Sequence, residues 1–208
     1  MHMRTWTLFL IFSFWYCSAS AETLDKRLGE SATAFVSRNI PSNGSLAHPV
    51  IETSAWQLAA PAIIAFYEHP PAPGDITEAT ISAFVFAPIS PTKYEKILVD
   101  NYGAEGGDPK IETVFFASTD KTNDKKLIVI VSWEQNHATV KGTLYETFIY
   151  SFPKTTPYPP KLPYLKALSD QLSGGCDCRR PVEEGPSTKA KYKTAADIKK
   201  ALKKLNRP

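Results

Sequence analysis

Glycine is sparse in this chain, at ten of 208 residues, histidine is limited to four and cysteine to three. Glycine without a three-residue period excludes collagen, and neither a glycine-rich phosphate loop nor a G-x-S-x-G elbow occurs, so the usual nucleotide-binding and hydrolase signatures are missing. No HExxH and no close histidine pair is present; a zinc site would have to be assembled from distant loops. No apolar run approaches the about 20 residues of a helical membrane span, which excludes a multi-span protein and argues against a transmembrane anchor. Charge of one sign is lacking too: 24 basic against 21 acidic residues give +3, too balanced for a nucleic-acid partner. Nothing implies a cofactor.

What is present begins with export. Arg4 and the amino terminus are basic, Trp6 to Tyr16 is an eleven-residue apolar run, and Ala19-Ser20-Ala21 supplies small residues before Glu22. That order predicts a signal peptide over residues 1–21, placing the protein in the periplasm of a Gram-negative bacterium and outside the cell otherwise. Cys17 follows Phe14, Trp15 and Tyr16, whereas a lipidated cysteine follows a small residue. The expected mature chain, 22–208, is long enough for a single core and is expected to be one domain. Its charge is uneven: residues 174–208 carry ten basic and four acidic side chains, a net +6, and residues 22–173 a net −4.

Periodicity predicts the α+β class: an antiparallel β-meander of five or six strands with an N-terminal helix and C-terminal helices. Leu24, Leu28, Ala32, Phe35 and Val36 recur at helical spacing, and Pro41 to Gly44 ends that helix. Ser54 to Tyr67 is apolar but interrupted by Pro61, which suits an edge strand. Five β-rich runs follow, at 80–87, 94–100, 111–118, 126–133 and 143–152, joined by connections too short for crossover helices. Lys126 to Trp133 is almost wholly apolar and predicts a central strand buried on both faces. A Pro-rich connector at 153–163 leads to a short helix at 164–172. The last predicted helix, at 194–206, is basic and opens on Thr194-Ala-Ala-Asp197, the spacing of a capping box.

Three constellations carry candidate chemistry. Cys176 and Cys178 are a disulfide candidate in an oxidising compartment, with metal binding and thiol exchange as alternatives. The stretch VFFASTDKTNDKKLIVIV, with oxygen side chains at alternate positions of its loop, resembles the strand, acidic loop, strand unit of integrin-type FG-GAP repeats. That resemblance implies Asp120, Thr122 and Asp124 as calcium ligands; Lys125 stands in place of the expected glycine and Ile128 in place of a later acidic ligand. A solvated hairpin turn is the commoner reading, and one unit does not make a propeller. Glu134 and His137 follow Trp133 in the loop beyond the central strand, offering an acid, a base and an aromatic surface.

The expected function is that of an exported, non-catalytic binding protein, an inhibitor or immunity protein against an envelope hydrolase, with another envelope protein as partner. Its anchors are expected at Trp133, Glu134, His137, Tyr102, Glu105 and Asp108, aromatic and charged residues near two loops of a rigid sheet. The alternatives are an envelope hydrolase working through Glu112, Glu134 and His137, and a structural or assembly factor docking by its basic C-terminal helix. The chain also resembles, in its order of elements only, small exported bacterial proteins of unassigned function.

Overall fold

The computed structural model describes residues 22–41, 44–71, 74, 78–120, 122–180 and 187–205. The expected signal peptide with Cys17, Lys121 of the acidic loop and Asn206 of the last predicted helix lie outside them. In chain order the elements are β1 (Glu22–Asp25), α1 (Ala32–Arg38), β2 (Ser45–Leu46), β3 (Ile51–Thr53), β4 (Ala62–His69), β5 (Thr80–Pro88), β6 (Lys93–Tyr102), β7 (Pro109–Ser118), β8 (Lys125–Asn136), β9 (Lys141–Tyr150), α2 (Lys166–Leu172), β10 (Gly175–Arg179) and α3 (Ala195–Leu205).

The pairing is antiparallel, but the strands form two sheets where the sequence predicts a single meander. One sheet has the order β1-β6-β5-β4-β2, with β3 also on β4; the other has the order β10-β9-β8-β7. The break falls between β6 and β7. Its cause is apolarity on both strand faces: β4 buries every residue from Ala62 to Tyr67, and β8 every residue from Leu127 to Trp133. Each sheet must therefore be covered twice, and stacking them covers one face of each.

Four layers result. Ile64, Phe66, Val85, Ile97, Leu127, Val129 and Val131 meet in the core between the sheets. On the outer face of the first sheet, Phe35 and Val36 of α1 pack on Ile63, Ala65, Tyr67 and Phe86. On the outer face of the second, Ile198 and Leu202 of α3 and Leu172 of α2 pack on Phe115, Ile128, Ile130 and Ile149. Full burial of each such side chain contributes about 1.5–3 kcal/mol. β8 is an inner strand covered on both faces, as its composition predicts.

Two expectations are corrected. The N-terminal helix does not reach Leu24: Glu22–Asp25 pairs with Lys93–Lys96 as a strand, Gly29 turns the chain at φ 76°, and Leu28 is 96% exposed. Helix starts instead after Ser31, whose hydroxyl accepts the Ala34 N–H at 3.1 Å. The segment after Ser54 does not give an edge strand either. Pro61 precedes β4, which pairs with β5 on one side and with β2 and β3 on the other, so the proline removes no donor from the ladder.

The C-terminal third closes the open edges. The Pro-rich connector crosses from β9 to β6, where the Leu98 N–H donates to Pro160 O (3.0 Å) and the Leu162 N–H to Leu98 O (2.8 Å). Beside it the Tyr150 hydroxyl and Lys161 Nζ donate to the two oxygens of Asp100 at 2.8 and 2.5 Å, tying the sheets and the connector together. The capping box of α3 forms: the Asp197 N–H donates to Thr194 Oγ1 (3.2 Å) and the Thr194 N–H to Asp197 Oδ2 (3.1 Å).

Candidate functional site

Helices cover only part of the outer face of the second sheet. Because strand side chains alternate, the face that carries Ile128 and Ile130 continues along β8 with Ser132, Glu134 and Asn136. Register sets Lys110 and Tyr145 on either side of Ser132, Thr143 beside Glu134 and Lys141 beside Asn136. A β-bulge between Ile111 and Thr113 inserts Glu112 into this row. The outcome is a polar floor beyond the apolar patch under α3. With the 106–109 loop as a wall, it forms an open cleft of about 890 Å³ lined by Glu112 and Glu134, by Asp108 of that loop, and by Ser132, Lys110, Lys141 and Tyr145.

The floor is held by its own hydrogen bonds. Buried Ser132 donates to Glu112 Oε1 at 2.7 Å, and Lys110 Nζ lies 3.0 Å from the same oxygen. The loop wall is pinned to β8: Trp133 Nε1 donates to Gly103 O (2.8 Å) and Gln135 Nε2 to Glu105 O (2.6 Å). Gly107 is required there, since a Cβ would stand 2.3 Å from Glu134 O. Asp108 accepts the Ala79 N–H at 2.7 Å, which anchors the loop from the side of the first sheet.

The predicted anchors therefore divide. Glu134 and Asp108 line the cleft, and His137 stands at its rim, where a Cβ on Gly106 would meet its Nε2 at 2.7 Å. Glu105 lies near Glu146, whose carboxyl is pushed up first by burial and then by the Glu105 charge. Trp133 and Tyr102 are each 2% exposed, which corrects their expected surface position. Trp133 lies on the inner face of β8, in the core between the sheets, and the Tyr102 hydroxyl is within 3.2 Å of the Tyr150 hydroxyl. Of the alternative trio, Glu112 and Glu134 share the cleft and His137 borders it.

The acidic loop is satisfied internally. Asp120 accepts from the Thr122 N–H at 2.8 Å and from its hydroxyl, bonds that hold the carboxyl below its usual range, and Asp124 pairs with Lys154 at 2.6 Å. Among the described residues no group of three or more His, Cys, Asp or Glu is placed to hold a metal ion. Cys176 and Cys178 are bonded to each other within β10, where Asp177 between them pairs with Lys193 at 2.7 Å. No described helix is long and apolar enough to cross a membrane.

The chain matches no family model, no curated protein and no solved structure. Nothing is therefore transferred to the cleft by similarity, and its reading rests on its own residues. Lys110, Ser132, Lys141, Thr143 and Tyr145 escape sequence reasoning because they join Glu112 and Glu134 only through cross-strand register and a bulge. The one signal in the sequence is the change along β8 from Ile128 and Ile130 to Ser132, Glu134 and Asn136 at alternate positions.

Proposed function

We propose that this chain is an exported, non-catalytic binding protein of the bacterial envelope, acting as an inhibitor or immunity protein against an envelope hydrolase. Its recognition surface is the cleft on the second sheet. The observation that carries this reading is the polar row of Lys110, Glu112 and Ser132, with exposed Glu134 beside it: the Ser132 hydroxyl and the Lys110 ammonium already meet at Glu112 Oε1, and groups so held lose little entropy when a partner covers them. An opening of this size and polarity suits an inserted protein loop with polar side chains.

The test is capture of a partner from an envelope extract on immobilised residues 22–208, beside the double charge reversal Lys110→Glu with Glu134→Lys. The expected result is a discrete captured protein that is lost with the reversal while the unfolding midpoint is kept. Equal capture by both forms would remove the cleft from the reading.

One observation supports hydrolysis as a second reading, since Glu112, Glu134 and His137 gather around one cleft. A hydrolytic activity of the mature chain abolished by Glu134→Gln would favour it over the binding role.

A further inference from the structure

At the other end of β8 lies a second cavity, of about 360 Å³, between the 55–58 segment, the start of β8 and the connector. Three of its lining residues are aromatic. Trp56 stacks on Phe152 with ring centres 4.4 Å apart and Tyr158 packs against Phe152 at 5.3 Å, while Phe116, outside the lining, meets the indole edge-on at 5.3 Å. The indole is fixed in place because its Nε1 donates to Lys125 O at 2.9 Å. Gln57, next in the chain, has φ 55°, a left-handed conformation unfavourable for a residue with a Cβ. Backbone strain of that kind persists where the surrounding structure enforces it, and it accompanies ligand sites.

The cavity is also basic. Lys125, Lys126 and Lys154 line it, and Asp124 is the one carboxylate among its lining residues. Asp124 is taken by Lys154 at 2.6 Å. Among the described residues, the Lys125 and Lys126 ammonium groups reach only the neutral hydroxyls of Ser118 (3.4 Å) and Ser151 (3.2 Å). Asp120 stands behind them, close enough for Lys126 and Lys154 to draw its carboxyl down. Aromatic rings beside ammonium groups suit an anion attached to a flat ring: the ring gains from stacking and the anion from Lys125 and Lys126, which no described carboxylate pairs with.

We infer that this cavity is a binding site for an aromatic organic anion, with the ring against Trp56, Phe152 and Tyr158 and the anionic group on Lys125 and Lys126. The site is separate from the cleft on the outer face of the second sheet and does not depend on the function proposed for it.

Phenyl phosphate joins a six-membered ring to a dianion and is the probe, with inorganic phosphate and phenol as its halves. Calorimetric titration of the mature chain is expected to give saturable binding of phenyl phosphate at least about tenfold tighter than either half. Lys125→Ala with Lys126→Ala is expected to weaken it by about tenfold or more with the unfolding midpoint unchanged. No saturable heat, equal affinity for inorganic phosphate, or wild-type affinity in the double variant would each overturn the inference. Should that variant fail to fold, the Trp56 indole N–H resonance of the wild-type protein decides. A saturable shift with phenyl phosphate supports the site, and an unmoved resonance rejects it.

Discussion

Ser169 lends its hydroxyl to the open edge of β9, accepting the Ile149 N–H at 3.0 Å while donating to Leu165 O at 3.0 Å. One turn on, Ser173 does the same for the Thr147 N–H at 3.3 Å. β10 pairs only with residues 141–145 of β9, so beyond that point two serines four apart, one on α2 and one capping its C-terminus, take over from a neighbouring strand. Ser169→Ala would leave a buried amide without a partner and is expected to cost about 1–3 kcal/mol in urea unfolding. A variant as stable as wild type would show that water replaces the hydroxyl.

Thr147 offers the opposite case. It is 1% exposed, and its hydroxyl has no hydrogen-bond partner. Thr147→Val keeps the shape and removes the unpaired oxygen, so the expected result is a gain of about 1 kcal/mol, read as a higher urea midpoint at unchanged slope.

Alkaline pH should unfold the protein through its buried tyrosines. Burial pushes the Tyr67 phenol up to about 12 and also raises Tyr102 and Tyr150, the last further opposed by the neighbouring Asp100. These groups are neutral in both states below about pH 10, where they leave stability unchanged. Above it the unfolded chain releases protons that the folded chain keeps, so stability falls as pH rises from about 10 toward 12. The phenolate absorbance of these tyrosines should appear together with unfolding, not before it.

Trp133→Ala empties a core site and breaks the bond to Gly103 O. The expected loss is about 3–5 kcal/mol of stability, measured by denaturant unfolding. Glu134→Ala, on the adjacent and exposed position, should change stability by less than about 0.5 kcal/mol. Partner capture by a folded Glu134→Ala protein therefore reports on the cleft, whereas loss of capture in Trp133→Ala reports on packing.

Calcium should have no effect on the acidic loop. Asp120 and Asp124 are already engaged by Thr122 and Lys154, and Lys126 adds positive charge nearby. Thermal midpoints in millimolar calcium and in chelator are expected to coincide; a strong rise with calcium would reinstate the FG-GAP-like role of these residues.

Strand order within the chain was legible because apolar runs and turn residues are local signals. The five predicted runs correspond to β5 through β9, and Thr194 and Asp197 mark the start of α3. Pairing partners were not legible. Nothing in Tyr102 or Pro109 signals that the chain changes sheets between them, and Leu24 matches a helical stripe equally well as a strand facing Tyr94. The cleft follows the same rule: Glu134 stands out in the sequence, but the row that joins it to Lys110 and Ser132 exists only once β7 is bulged at Glu112. Trp133 was misplaced for a related reason, since a tryptophan before a polar loop looks exposed until the next sheet is laid over it.

The connector's seat on β6 also imposes an order on synthesis. Leu98 is closed off by Pro160 and Leu162, some sixty residues further along the chain. A polypeptide emerging amino end first therefore completes the β4-β5-β6 meander well before its seal arrives, with the Leu98 amide and carbonyl open to any passing strand. Until β8 and β9 also emerge, Phe66, Val85 and Ile97 face water. During that interval the half-made molecule presents an unpaired strand edge and an uncovered apolar face, the two features that favour pairing with its own copies.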